Sequence, residues 1–284
     1  MQANGTQSDR AQEFYRESVT ALQETGVPFL IGGAFALESY TGLVRRTKDL
    51  DIFVRPGDCD RLLSGLRRKG YETELRFPHW LGKASKDGHF IDVVFNSGNG
   101  VCKVDDRWFD HAMPGDVLGI KVNIVPAEEM IWSKAFIMER ERYDGGDIAH
   151  LLRARAKALD WARLLSRFHT HWRVLMNHLI LFGFIYPGHR LQIPSWLMTE
   201  LMRRLELEMN SLPPDPQLCQ GPLLSWSQYL VHTEQGEYRD ARHIPRGSLT
   251  EQETRYVTKV LTREAGDCEH TPKPFKQAHT EGSE

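Results

Sequence analysis

The stretch Thr47-Lys48-Asp49-Leu50-Asp51-Ile52-Phe53-Val54 decides the fold. Side chains alternate along a strand, so Asp49 and Asp51 share one face and Leu50, Ile52 and Val54 share the other. The second face is apolar and belongs in a core. Pro56-Gly57 end the strand. Two carboxylates side by side at the start of an apolar strand repel each other. Either they are solvated at an exposed edge, or a divalent cation resolves the repulsion, and hard carboxylate oxygens suit Mg²⁺.

Working outward toward the N-terminus, Val27-Pro28-Phe29-Leu30-Ile31 reads as a short buried strand broken by Gly32-Gly33, with a helix from Ala34 to Tyr40. Such a turn lets a ligand approach the backbone, and the helix start presents free N–H groups to an anion. On its own it reads first as an ordinary tight turn. Ser8 is the expected cap of an opening helix with Ala11, Phe14, Tyr15, Ser18 and Leu22 on one face; residues 1–7 read as disordered.

Outward in the other direction, Asp58 begins a helix from Cys59 to Lys69, and Tyr71 to Phe77 forms a strand. Trp80–Ser85 and His89–Phe95 form a hairpin through Asp87-Gly88. Asp92 interrupts the second of these apolar strands, and buried carboxylates are rare unless paired or metal-bound. Beside the Asp49/Asp51 strand it completes a three-carboxylate cluster that fits two Mg²⁺ ions roughly 3.5–4 Å apart. Gly119–Val125 is a further strand.

After Pro126 helical periodicity takes over: Ala127–Glu141, Asp147–Ala156, Asp160–Phe168, His171–Phe184 and Pro194–Met209. Shorter helical stretches follow a linker at Ser211–Pro216, near Ser225–Gln235 and Thr250–Glu264. The expected fold class is α+β (mixed α/β). A sheet with flanking helices occupies residues 1–125, an all-α region 126–265, and a disordered tail 266–284.

Composition narrows the function classes. The 284 residues carry 36 Lys plus Arg against 38 Asp plus Glu, which excludes a whole-chain polycation but not a local basic groove. Cys59, Cys102, Cys219 and Cys268 include no C-x-x-C pair, so neither a zinc site nor a disulfide framework is expected. Reduced thiols and a polar N-terminus without a signal peptide suggest a cytoplasmic protein. The apolar run Val174–Tyr186 is too short for a membrane span and reads as a buried helix.

Gly32-Gly33, then Arg46-Thr47-x-Asp49-x-Asp51, then a third Asp on a later strand resembles the DNA polymerase β-like nucleotidyltransferase superfamily over roughly residues 27–97. The resemblance implies metal-dependent transfer of an NMP from an NTP to an acceptor hydroxyl, with release of pyrophosphate. It implies two Mg²⁺ (or Mn²⁺) ions held by Asp49, Asp51 and Asp92, and phosphates held by Gly32, Gly33, Arg46 and Thr47. One departure is Ala34, where many members place a Ser or Thr hydroxyl against a phosphate.

A second resemblance, over about residues 126–153, is to AbiE-type toxin-like nucleotidyltransferases: Lys134, then Arg142-Tyr143-Asp144-Gly145-Gly146-Asp147-Ile148. It implies that Lys134 and Asp147 face the nucleotide. Read from the residues alone, Asp144 and Asp147 are equally natural helix caps. Arg45 and Arg46 suit either phosphate or a solvated loop, and His79-Trp80 either a base stack or packing.

Between His150 and Arg173 six basic residues stand against Asp160 alone, either a groove for RNA or a set of solvated helix faces. Together with the toxin-like Lys134 to Asp147 segment it makes RNA, in particular tRNA, the expected acceptor, and the AbiE-type resemblance implies a toxin with an antitoxin partner protein. The alternatives are an antibiotic-type small molecule and protein nucleotidylation. No membrane partner is expected.

Overall fold

The computed structural model describes residues 3–45, 47–213, 215–243 and 249–256. Eleven elements build the first part: α1 (Ala3–Glu24), β1 (Leu30–Ile31), α2 (Gly33–Thr41), β2 (Asp49–Phe53), α3 (Cys59–Arg68), β3 (Glu72–Phe77), β4 (Leu81–Lys86), β5 (His89–Val94), α4 (Asp106–Asp110), β6 (Met113–Val117) and β7 (Ile120–Ile124). The seven strands form one mixed sheet in the order β3-β4-β5-β2-β1-β7-β6. β2 runs parallel to β5 and antiparallel to β1. The fold class is α+β, as the alternation of strands and helices implies.

The alternating pattern around Asp49 works as expected. Leu50, Ile52 and Val54 are fully buried, and Ile91 and Val93 of β5 join them. Asp87 and Gly88 both take positive φ, as a two-residue hairpin between β4 and β5 requires. β6 and α4 were not expected. Met113-Pro114-Gly115 looks unlike a strand, but β6 is a sheet edge, where a proline forfeits no ladder bond.

The second part holds α5 (Ala127–Ala135), α6 (Gly145–Arg155), α7 (Trp161–Phe168), α8 (Trp172–Ile185), α9 (Ser195–Met209) and α10 (Trp226–Glu234), with a small parallel pair, β8 (Leu218–Cys219) and β9 (Arg239–Asp240). One hydrophobic core runs from Phe14 to Ala241 through both parts. Among the described residues no helix is long and apolar enough to cross a membrane.

Several expectations need correction. α1 begins at Ala3, ahead of Ser8, so residues 3–7 are helical. Asp58 does not cap α3; its carboxylate pairs with Arg55 and Arg61. The helix expected over 127–141 stops at Ala135. Phe136 turns into the core against Phe168, and Asp144 N–H closes a turn onto Ile137 O at 3.1 Å. Tertiary contacts thus override the good helix formers of 138–142. α8 buries Trp172, Leu175, Leu179 and Phe182 but leaves Ile180, Phe184 and Ile185 exposed. Arg46, Cys268, the 266–284 tail and the helix expected beyond residue 256 lie outside the described residues.

Half of the basic stretch is committed to carboxylates. Arg163 pairs with Glu128 and Glu129 at 2.5 Å each, and Arg167 with Glu129 at 2.9 Å and Asp105 at 2.6 Å. Burial opposes ionisation of Asp105, but the Arg167 hydrogen bonds outweigh it and hold this carboxyl below its usual range. Arg173 pairs with Glu208, while Arg153 and Arg155 lie over the rings of Tyr186 and Tyr40.

Candidate active site

The parallel pairing of β2 with β5 sets Asp51 directly beside Asp92, and Asp49 lies two residues along the same face. The three carboxylates therefore line one side of the sheet, opposite the buried Leu50, Ile52, Ile91 and Val93. The turn after β1 closes on them. Gly32 N–H donates to Asp51 O at 2.9 Å. Gly33 has φ +54°, and a Cβ there would lie 1.8 Å from Asp51 Oδ2. Only glycine lets α2 start against this carboxylate.

Two independent costs predict the effect of Gly33→Ala. The left-handed backbone costs about 1–2 kcal/mol for any other residue, and the methyl displaces the Asp51 carboxylate. The variant should melt several degrees lower and lose at least about 10²-fold in activity. Wild-type turnover in this variant would show that the contact is immaterial.

Burial, then the charges of Asp49 and Asp92, push the Asp51 carboxyl up to about 7; Lys134 and Arg142 pull the other way. Burial also raises Asp92, against the nearby Lys83 charge. Lys83, opposite Asp92 on β4, places Nζ 3.3 Å from Asp92 Oδ1. That oxygen is buried and the ammonium does not meet it with hydrogen-bond geometry. The Thr47 hydroxyl donates to Asp49 Oδ1 at 2.7 Å, and the Tyr15 hydroxyl donates to Thr47 O at 3.4 Å.

Lys134 lies on α5 and Asp147 in the first turn of α6. Lys134 Nζ donates to Asp144 Oδ2 at 2.7 Å and pairs with Asp147 Oδ2 at 2.8 Å. Arg142 Nε donates to Asp144 Oδ1 at 3.1 Å, and Arg45 pairs with the other oxygen of Asp147. Burial opposes ionisation of Asp144, but the Arg142 hydrogen bond and the Lys134 charge hold its carboxyl low. Asp51 and Asp49 act in turn on the Arg142 guanidinium. Lys134, Arg142, Asp144, Asp147 and Arg45 thus form one network beside the sheet carboxylates.

The sequence-based set of Asp49, Asp51, Asp92, Gly32, Gly33, Thr47, Lys134 and Asp147 is gathered at this end of the sheet. Lys83 was missed, since nothing in Leu81–Lys86 sets it apart before the register is known. Arg142 and Asp144 stand inside the quoted segment, but the sequence marks Asp144 only as a natural helix cap and gives Arg142 no role. His79 and Trp80 resolve to packing: Trp80 stacks on Phe77, and His79 Nε2 is 3.3 Å from Gly98 O.

The donor set suits a hard divalent cation. It is all carboxylate oxygen, it includes the buried Asp92 Oδ1 beside Lys83, and its central acid is pushed up by burial and then by its neighbours' charge. As the side chains stand, no three acidic, His or Cys groups among the described residues are close enough to hold one ion.

A search of curated proteins finds no relative. Among solved structures, the antibiotic-resistance factor ANT(2'')-Ia is 16% identical, with 60% of this chain and 97% of that one covered at a TM-score of 0.42. The lincosamide antibiotic adenylyltransferase LnuA, bound to lincomycin, is 14% identical over 49% of this chain and 94% of its own, at 0.36. JHP933 from Helicobacter pylori is 13% identical over 72% of this chain and 95% of its own, also at 0.36. A family model described as an uncharacterised nucleotidyltransferase matches residues 1–181, which hold every site residue named above. The chain belongs to this nucleotidyltransferase family.

Proposed function

We propose that this nucleotidyltransferase moves an NMP from an NTP to the hydroxyl of a small molecule, with Asp49, Asp51 and Asp92 holding divalent metal. The observation that carries the reading is the side-by-side placement of Asp51 and Asp92, with Asp49 on the same face. A bound metal pair would stabilise both the attacking and leaving oxygens. The first N–H groups of α2, at Gly33, suit a phosphate oxygen. Lys134 and Arg142 supply positive charge opposite Asp51, and Asp144 and Asp147 fix where Lys134 points.

A small-molecule acceptor is preferred over RNA because three of the six basic residues of the stretch are already paired. RNA binding draws on cations free to meet phosphates. Arg163 and Arg167 are committed to buried carboxylates and Arg173 to Glu208. RNA and a protein acceptor become outcomes of the test. The protein is incubated with Mg²⁺ and each α-labelled NTP, alone, with total RNA, or with hydroxyl-bearing small molecules. Label in a small-molecule adduct is the expected result; label in RNA or protein overturns the acceptor, and no label in any arm overturns the function.

Lys134→Ala removes one charge-assisted contact to the triphosphate, worth about 10- to 100-fold in the KM for NTP. The fold should survive, since Asp144 keeps Arg142 and Asp147 keeps Arg45. Nucleotide-dependence curves and thermal melts check this. An unchanged KM would place Lys134 outside the nucleotide site.

A further inference from the structure

The segment from Gly221 to Gln228 lies beyond the part of the chain that the family model matches, yet it is fastened to the loop that brings Arg142 and Asp144 to the site. The loop runs from Phe136 to Asp144 and folds back on itself through a Met138–Tyr143 bridge. Its middle residues reach across to the start of α10. Glu139 Oε1 accepts from Trp226 N–H at 3.0 Å, and Glu139 Oε2 accepts from the Ser227 hydroxyl at 2.8 Å. The Ser225 hydroxyl also donates to Oε2. Met138 N–H donates to Leu224 O at 3.1 Å, and Gln228 Nε2 donates back to Met138 O at 3.2 Å. From the sheet side, Asn99 Nδ2 donates to Leu223 O at 2.7 Å.

Three of these five bonds between the loop and the start of α10 fall on one side chain, Glu139. The Glu139 carboxylate takes the free donors at the N-terminal end of α10, where a negative charge is also favoured by the helix dipole. Ser225, at the helix cap, is fully buried. Three residues after Glu139 comes Arg142, and two later Asp144, the partner of both Arg142 and Lys134. Without the Glu139 clamp, the hold of the loop on the start of α10 falls to the two Met138 bonds.

We infer that Glu139, clamped by Ser225, Trp226 and Ser227, is a positioning residue that sets Arg142 and Asp144 for nucleotide binding. The inference deepens the proposed function and rests on it. Glu139 touches neither the carboxylates nor Lys134 and acts only through the loop. Loss of the clamp should therefore weaken nucleotide capture more than the chemical step, because the sheet carboxylates and the Gly33 turn are held independently.

Two readouts on the full chain test it. In Glu139→Ala, amide hydrogen exchange over 137–144 should quicken at least tenfold while β2 and β5 stay as protected as in the wild type. The KM for Mg-NTP should rise about tenfold, with kcat within threefold. Glu139→Gln, which keeps one acceptor oxygen, should fall between. Should Glu139→Ala fail to fold, Ser227→Ala removes one of the three Glu139 bonds, together with the 3.3 Å contact to the Ser225 hydroxyl, and should move both readouts less, in the same direction.

Unchanged loop exchange overturns the inference, and so does faster exchange with an unchanged KM. Equal losses in kcat and KM alongside loosened β2 and β5 mark a merely structural role and overturn it too. A wild type inactive with every NTP overturns the function; the exchange arm then still decides whether the clamp orders the loop.

Discussion

Asp51→Asn should abolish transfer, by about 10³-fold or more, without unfolding the chain. The magnitude follows from removing charge stabilisation at the centre of the site, where loss of a single aligned group already costs about 10²–10³-fold. Asp51 is central on every count: it is in register with Asp92, two residues from Asp49, against Gly33, and within reach of the Lys134 and Arg142 charges. Stability should hold or rise at neutral pH, because the substitution removes one of three like charges.

The same residue gives a pH signature. Burial and the neighbouring carboxylates raise the folded-state carboxyl to about 7, above the unfolded value of about 3.9. A raised acid contributes stability that is fully present below the unfolded value and is lost as pH rises through the folded one. In EDTA the wild type should therefore lose melting temperature between about pH 4 and 7, and Asp51→Asn should flatten that part of the profile. Identical profiles for the two proteins would mean that Asp51 is not the strained acid.

Glu129→Ala should produce a large loss of stability. Glu129 is 0% exposed and accepts from Arg163 and Arg167 together. Truncating it leaves one buried and one part-buried guanidinium with reduced compensation, although Arg163 keeps Glu128 and Arg167 keeps Asp105. Breaking a buried pair from one side costs about 3–5 kcal/mol. In a chain of this size that is a fall of roughly 10 °C in melting temperature. Glu129→Gln, which retains hydrogen bonding, should lose less. A melt within two degrees of wild type for the alanine variant would show that the network contributes nothing net.

The contrast between these two sites shows what the sequence disclosed. Asp49, Asp51 and Asp92 were legible because acids at alternate positions of apolar strands break an otherwise uniform pattern. The Glu129 network was not. Glu128-Glu129 looked like ordinary first-turn acids of a helix, and Arg163 and Arg167 looked like a basic face. Their pairing joins residues more than thirty positions apart, and spacing along one helix carries no record of it. The end of α5 at Ala135 was hidden for a similar reason: local propensity favours helix through Glu141, while Phe136, Ile137 and Glu139 are claimed by partners in α7, at Asp144 and in α10. β6 carries a proline that only its edge position excuses.

The measurement that bears most directly on the central claim follows the two ends of the nucleotide. Wild type and Asp51→Asn are incubated in parallel with α-labelled and γ-labelled NTP, Mg²⁺ and the acceptor pool. The account predicts that wild type releases γ-label as pyrophosphate and transfers α-label to an acceptor in equal amounts, that EDTA stops both, and that Asp51→Asn does neither. Equal transfer by Asp51→Asn, or γ-label released as free phosphate with α-label left on a nucleoside diphosphate, would contradict it.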